Sequence, residues 1–302
     1  MERRTFIQQS TVLGAGVALS PSLLAGKNEH KLLEKLTILH TNDTHSNIDP
    51  FPKNHSKYPD KGGVERRFSL IQKVKAENEH VLLLDAGDIF QGTPYFNKFK
   101  GVLDMKVMSE MGYDCATLGN HDFDIGLDGF LNAKKYADFP FVCVNYDFNN
   151  TILKGHIPPY KIFQKGSFKV GVFGVGIELE GLVPKVLYDD TIYLDPISTV
   201  NKTARHLRFE EDCNIIICLS HIGHYKKQFD MSDQILAKET ANIDLIIGGH
   251  THTFLDKPEV HKNSEGKKVL INQVGWGGLA LGKIDFYLGE GKRHKGYELT
   301  LV

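Results

Sequence analysis

Short runs of apolar, often β-branched residues recur along the chain and predict strands. These runs cover residues 36–40, 81–85, 114–118, 141–145, 169–175, 214–219, 244–247, 269–274 and 282–288. Between several of them, apolar residues recur at helical spacing and predict helices over residues 66–77, 103–111, 199–209 and 233–239. Strands that alternate with helices indicate an α/β fold. The strands near the C-terminus have no clear helix after them, which indicates some antiparallel pairing as well.

The strand and helix pattern runs on from residue 30 without a repeat, a low-complexity tract or a long linker. The polar residues 49–63 contain three prolines and two glycines and are interpreted as a loop that leaves the domain and returns. We therefore predict one domain over residues 27–302. Composition is typical of a globular protein, and the net charge of −1 provides no basic surface for a nucleic acid polymer.

The four cysteines lie inside apolar runs and show neither CxxC nor CxxH spacing. This pattern predicts small buried hydrophobic residues rather than a zinc finger or a redox pair. They are Cys115, Cys143, Cys213 and Cys218.

The N-terminus carries Arg3 and Arg4 ahead of a mildly apolar stretch, residues 11–25. This stretch is shorter than the roughly 20 residues of a membrane-spanning helix. It predicts a twin-arginine signal peptide over residues 1–26, with cleavage after Ala25. An uncleaved anchor or a tail without structure is the alternative. The prediction implies a periplasmic or secreted protein with no stable membrane insertion after cleavage.

Polar clusters follow the predicted strands at the points where the strands end. In chain order they are Asp43-Thr44-His45, Gly87-Asp88, Gly119-Asn120-His121-Asp122, His221 and Gly248-Gly249-His250-Thr251-His252, with Asp124 just behind the third. Each cluster alone also fits a turn or a helix cap. Together they predict a two-metal centre, because unpaired acids and histidines buried at five strand ends would carry a heavy desolvation cost.

The sequence lacks the motifs of other common binding and catalytic sites in α/β proteins. Gly174-Val175-Gly176 is not followed by a glycine three residues later, so it does not form a dinucleotide-binding fingerprint. The chain also contains no phosphate-binding P-loop and no GxSxG nucleophile motif.

The ordered set DxH, GD, GNHD, H and GHTH resembles the calcineurin-like metallophosphatases. The strings around Asp43, Asp88 and His121 are similar to the 5′-nucleotidase family within that group. The resemblance covers about residues 36–288. It implies a four-layer α/β/β/α sandwich of two mixed sheets, with a dinuclear metal centre at the strand ends.

The resemblance also implies a role for each matching residue. The first metal would be held by Asp43, His45, Asp88 and His252, and the second by Asp88, Asn120, His221 and His250. His121 would be the catalytic histidine and Asp124 the acid that orients it. The ligands are nitrogen and oxygen atoms without a thiolate, which suits Mn, Zn, Fe or Co and does not choose among them. The family usually has Glu in place of Asp122, a difference for which we expect little consequence.

A centre of this kind predicts a metal-dependent phosphoester hydrolase. A two-metal-bound hydroxide would attack phosphorus, while His121 neutralises developing charge and can protonate the leaving oxygen. The 5′-nucleotidase strings favour a phosphomonoesterase that acts on nucleotides. The alternatives are a phosphodiesterase or 2′,3′-cyclic nucleotide hydrolase, and, more remotely, a non-catalytic nucleotide-binding module. The module is disfavoured because every predicted ligand and His121 are retained.

Extracellular 5′-nucleotidases of the family carry a second, C-terminal domain that binds the nucleobase. The sequence ends at Val302, so we expect either a broad phosphoesterase or a separate chain that supplies the nucleotide-binding domain. Residues 49–63 and 178–195 are expected to shape the mouth of the site.

Overall fold

The structure is a computed structural model that describes residues 34–225, 231–289 and 292–302. The predicted signal peptide, residues 1–26, lies outside the described residues. No helix within these ranges combines the length and the apolar character that a membrane crossing requires.

Strands and helices alternate along most of the described chain. The strands are β1 Glu34–Thr41, β2 His80–Asp85, β3 Cys115–Ala116, β4 Tyr146–Asp147, β5 Tyr160–Lys165, β6 Phe168–Gly176, β7 Ile192–Tyr193, β8 Ile215–His221, β9 Leu245–Gly248, β10 Glu259–Lys262, β11 Lys268–Asn272, β12 Ala280–Gly289 and β13 Lys292–Leu301. The helices are α1 Val64–Glu77, α2 Pro94–Phe99, α3 Val102–Met111, α4 Gly126–Lys134, α5 Lys185–Tyr188, α6 Pro196–Phe209 and α7 Asp233–Glu239.

The longer strands form two mixed sheets. The first has the order β13-β12-β1-β2-β3. In it, β1, β2 and β3 run parallel, β12 pairs antiparallel with β1, and β13 pairs antiparallel with β12. The second has the order β10-β11-β9-β8-β6-β5, with a parallel centre formed by β11, β9, β8 and β6. The short strands β4 and β7 pair with each other.

Three hydrophobic layers show how the sheets and helices pack. Strand residues alternate between faces, so Leu82 and Leu84 point into the layer between the two sheets while Leu83 points towards α1, α3 and α4. In the same way, Ile217 of β8 packs between the sheets and Ile216 packs against α6 and α7. Because each sheet is covered on both faces, the central strands are continuously apolar. The predicted four-layer sandwich of two mixed sheets is confirmed.

Eight of the predicted strands are present with shifted ends, but residues 141–145 do not form a strand. Successive backbone N–H groups there bond to three separate partners. Val142 donates to Ala116, Cys143 to Pro158 and Val144 to Gly174. An extended apolar run therefore bridges neighbouring segments without a continuous ladder. The cysteine prediction is confirmed, because all four cysteines are buried and free.

Candidate metal centre

The polar clusters meet at one edge of the sandwich. Parallel strands β1, β2 and β3 of the first sheet lead into the loops that carry Asp43, Asp88 and Asn120. Strands β8 and β9 of the second sheet end at His221 and just before His250. Since the carboxyl ends of parallel strands share an edge, both sheets contribute side chains to one site.

Candidate ligands are concentrated among the residues with a left-handed backbone. The positive φ angles are 49° at Asp43, 50° at His45, 55° at Asp88, 70° at His250 and 51° at His252. Non-glycine residues seldom adopt this conformation, which costs on the order of 1–3 kcal/mol each and clusters at functional sites. The backbone strain therefore marks the same positions as the sequence motifs.

Glycines allow the β2 and β3 loops to approach each other. A Cβ atom added at Gly119 would lie 2.1 Å from Asp88 Oδ1, and one added at Gly87 would lie 2.5 Å from the Gly119 nitrogen. Neither position could hold a larger residue without displacing the loop that carries Asp88. The glycines of the GD and GN motifs thus serve the assembly of the site.

Asp43, His45 and His252 form the first group of potential ligands. The His252 Nε2 atom lies 3.3 Å from Asp43 Oδ1 and 3.0 Å from His45 Nε2. The distance from His45 Nε2 to Asp43 Oδ1 is 4.0 Å. Ligand atoms that share a zinc-sized cation at about 2.0–2.2 Å stand roughly 3.3–3.6 Å apart in a tetrahedral site. The three atoms are therefore spaced to surround one cation.

Asp88, His221 and His250 form the second group, which Asn120 joins. The His221 Nε2 atom lies 3.0 Å from Asp88 Oδ2, and His250 Nδ1 lies 2.9 Å from Asn120 Oδ1. The same Asp88 Oδ2 atom is 3.9 Å from His45 Nε2 of the first group. Asp88 thus lies between the two groups, where a bridging ligand would have to be.

Backbone carbonyls fix the tautomers of two histidines. The Nδ1 atom of His45 lies 3.1 Å from the Phe90 carbonyl, and that of His221 lies 2.7 Å from the Ala86 carbonyl. A carbonyl only accepts, so each Nδ1 carries the proton and each Nε2 presents its lone pair to the site. Burial lowers the pKa of His45, which favours the neutral imidazole that a metal ligand requires.

His221 provides a direct test of whether a cation fits. Its ring is fully buried, and its Nε2 atom makes no hydrogen bond although Asp88 Oδ2 is 3.0 Å away. Burial alone would lower the pKa of His221, but the Asp88 carboxylate outweighs burial and raises it to about 10. A positive charge is therefore strongly favoured between the two atoms, and a divalent cation would supply it.

His121 is arranged differently from these histidines. Its Nδ1 atom lies 2.8 Å from Asp124 Oδ2, and its side chain is 36% exposed. The hydrogen bond to Asp124 raises the pKa of His121 despite partial burial. The His121 backbone N–H donates to Asp88 Oδ1 at 2.8 Å, which ties it to the second group. The ring therefore lies at the mouth of the site and is suited to donate a proton.

Asp122 has a larger part in the site than the sequence indicated. Its carboxylate is buried and accepts N–H bonds from Asp88, Ile89, Phe90 and Gly119, at distances of 3.0, 3.0, 3.2 and 2.8 Å. This one side chain joins the loops that follow β2 and β3. Its place in the GNHD string was the only signal in the sequence, and the string does not show which backbone groups it binds.

The predicted site residues all lie at this edge of the sandwich. They are Asp43, His45, Asp88, Asn120, His121, Asp124, His221, His250 and His252. Residues 49–63 form a loop beside the site, since Phe51 contacts Trp276 and Trp276 stacks on His252. Residues 178–195 are partly regular, because they include α5 and β7.

The fold and the site together define a metallophosphoesterase, a phosphoric ester hydrolase. The Calcineurin-like phosphoesterase family matches residues 36–254, which is most of the chain. This protein belongs to the calcineurin-like phosphoesterase family, and it is similar to 5′-nucleotidases.

Curated relatives and solved structures place the similarity in the described domain. The chain is 36% identical over 84% of its length to the trifunctional nucleotide phosphoesterase YfkN of Bacillus subtilis, and covers 18% of that protein. It is 37% identical over 84% of its length to a snake venom 5′-nucleotidase of Gloydius brevicauda, covering 44% of it. The 5′-nucleotidase precursor of Thermus thermophilus superposes with a TM-score of 0.80 at 32% identity, over 89% of this chain and 54% of that one. The chain spans less than half the length of these two curated relatives.

Proposed function

We propose that the two groups of side chains bind two divalent cations. Asp43, His45, Asp88 and His252 would hold the first, and Asp88, Asn120, His221 and His250 the second. The observation that carries this proposal is the fully buried His221 Nε2 atom, which faces Asp88 Oδ2 at 3.0 Å without a hydrogen bond. Mn, Zn, Fe and Co all suit this mixture of nitrogen and oxygen ligands.

In phosphoester hydrolysis, several residues of the chain would have separate roles. When bound, the cations would supply Lewis acidity and neutralise charge on the phosphoryl oxygens. His121, exposed at the mouth, would donate its Nε2 proton to the leaving oxygen of the ester. Asp124 would hold the Nδ1 proton and so keep the ring in the required orientation. The loop bonds to Asp122 would keep Asp88 fixed as negative charge moves during the reaction.

The proposed substrate is a nucleoside 5′-monophosphate, on which the protein would act as a phosphomonoesterase. The relatives named as 5′-nucleotidases support this choice, at 31–39% identity over most of the described chain. A second candidate is a phosphodiesterase or 2′,3′-cyclic nucleotide hydrolase. It is favoured by the similarity to YfkN, which is named a trifunctional nucleotide phosphoesterase. A separate chain that completes the substrate site stays a prediction from the sequence.

A substrate screen separates these candidates. The mature protein, stripped of metal and reloaded with Mn²⁺, would be assayed on AMP, 3′-AMP, 2′,3′-cyclic AMP and an aryl phosphate. The proposal predicts the highest kcat/KM on the 5′-monophosphate and no hydrolysis without metal. Highest kcat/KM on the cyclic phosphate would select the second candidate, and no hydrolysis of any ester would contradict both.

We also propose that residues 27–302 form the catalytic domain and that a twin-arginine signal peptide exports it. The support is the arginine pair Arg3-Arg4 before a weakly apolar run. Twin-arginine export moves folded proteins, so the metals could be loaded before export.

A further inference from the structure

His252 lies flat against an indole ring that belongs to none of the polar clusters. The ring centroids of His252 and Trp276 are 5.7 Å apart, and their planes differ by 11°. The His252 side chain is 39% exposed, whereas those of His45 and His221 are buried. His252 also has a left-handed backbone with φ of 51°. Solvent exposure therefore leaves this ring less confined than those of His45 and His221.

The other histidines show what His252 lacks. A metal-ligating histidine almost always donates its second ring nitrogen to a carbonyl, carboxylate or water, which fixes the ring. His45 and His221 follow this rule through the Phe90 and Ala86 carbonyls. Among the described residues, none hydrogen-bonds to His252 Nδ1. Besides the other proposed ligands, the stacked indole is a ring contact that can orient the imidazole.

Trp276 is itself firmly attached to the loop that carries Asp43. The Gly277 N–H donates to the Asp43 carbonyl at 2.7 Å. The Asn42 side chain accepts from the Val274 N–H at 2.9 Å and donates to the Gly275 carbonyl at 2.6 Å. Stacking on Trp276 thus fixes the His252 ring relative to Asp43, its partner at 3.3 Å.

Phe51 supports the indole from another side. Its ring lies 5.4 Å from that of Trp276 at an interplanar angle of 80°, an edge-to-face arrangement that aromatic pairs favour. Phe51 belongs to the loop of residues 49–63, whose ends are joined by bonds from Phe51 N to Lys61 O and from Val64 N to Ile48 O. The loop thus contributes to holding the indole in place.

We infer that Trp276 is a positioning residue for His252, and that ring stacking does for this ring what the backbone carbonyls do for His45 and His221. Trp276 binds neither metal nor substrate in this role. We expect its effect at the first metal position, since the proposed ligand that it stacks on is His252. The inference rests on the proposed ligand role of His252 and assigns that ligand its support.

Isothermal titration calorimetry of the metal-stripped protein with Mn²⁺ measures metal affinity without substrate and tests the inference. Trp276→Leu should weaken binding at one of two positions by about 10–100-fold, the usual effect of losing a partner of a metal ligand. The other position should keep its affinity. Trp276→Phe retains a stacking ring and should restore most of the lost affinity. Tyr58→Leu is the matched control, because Tyr58 belongs to the same aromatic cluster and contacts no proposed ligand.

Two results would overturn the inference. Trp276→Leu could bind both equivalents with unchanged affinity, or Trp276→Phe could lose as much affinity as Trp276→Leu. His252→Ala separates this failure from failure of the ligand assignment. If His252→Ala loses the first metal and Trp276→Leu does not, only the positioning role is wrong. If His252→Ala keeps both metals, the proposed ligand set itself is wrong.

Discussion

His121 differs from the buried histidines His45 and His221 in both partner and exposure. Its Nδ1 atom faces the Asp124 carboxylate, while those of His45 and His221 face backbone carbonyls. A carboxylate partner favours the imidazolium form and raises the pKa of His121. Combined with its position at the mouth, this separates a proton donor from the buried metal ligands.

Replacement of His121 by Ala should leave metal binding intact and reduce kcat by about 10²–10⁴-fold, the range for a lost general acid. The measurements are the metal content of the purified variant and its steady-state rate on the best ester. His156→Ala removes an exposed histidine and is the matched control. Loss of metal from His121→Ala would show that the residue is a ligand and that its proposed role is incorrect.

At the scale of secondary-structure elements, Asp122 connects two of the loops that form the site. It joins the turn after β2 to the turn after β3 through four buried backbone N–H groups. The strained backbone of Asp88 is held by these bonds, since Asp88 itself donates one of them. A ligand in a conformation this unfavourable needs such support to stay in place.

Asp122→Ala should lower the free energy of unfolding by about 3 kcal/mol or more, because each buried N–H left without a partner costs roughly 1–3 kcal/mol. Asp122→Asn keeps the shape but exchanges an acceptor for a donor, so its loss should be intermediate. Urea unfolding of the metal-free variants measures both effects. The exposed Asp128→Ala is the control, expected within about 1 kcal/mol of wild type. An equal loss in Asp122→Ala and Asp128→Ala would remove the anchoring role.

The sequence predicted the central elements well because the apolar runs there are long and buried on both faces. It missed the strands β4, β5, β7, β10 and β13 and the helices α2, α4 and α5. Strand β5 is at an edge of its sheet and only partly buried, so its apolar pattern is weak. The strand predicted at residues 141–145 was wrong for the opposite reason. This run is strongly apolar, but burial alone does not create a paired strand.

The candidate ligands could be predicted because each follows a strand in a short motif. Trp276 and the bonds of Asp122 could not, since they depend on which loops meet in three dimensions. Trp276 is 24 positions from His252 along the sequence. Its contact with His252 depends on the Gly277 bond to Asp43, in a third segment of the chain. Ligands in strand-end motifs are therefore visible in the sequence, whereas the residues that hold them in place are not.

At the scale of the whole molecule, the predicted signal peptide concerns export of the folded protein from the cytoplasm. The twin-arginine prediction expects that Lys replacement of both Arg3 and Arg4 strands the precursor inside the cell. Fractionation and immunoblotting of precursor and mature forms measure this. A precursor with a single Arg4→Lys change is the matched control for a partial effect. Unchanged yield of the double variant outside the cytoplasm would contradict export by this route.

The site draws ligands from both sheets, so the proposed metals connect the two halves of the sandwich. Binding to the folded state alone stabilises it by mass action. In the proposed centre, Asp88 would hold both cations, and hydrolysis would depend on both.

Stepwise addition of Mn²⁺ to the metal-stripped protein, with bound metal and hydrolysis rate recorded at each step, tests this role of Asp88. The rate should rise until two equivalents per chain are bound, and Asp88→Asn should lose affinity at both positions together with activity. Full activity with one equivalent or none would show that hydrolysis does not need two cations, and two full equivalents bound by Asp88→Asn would show that Asp88 does not bridge them.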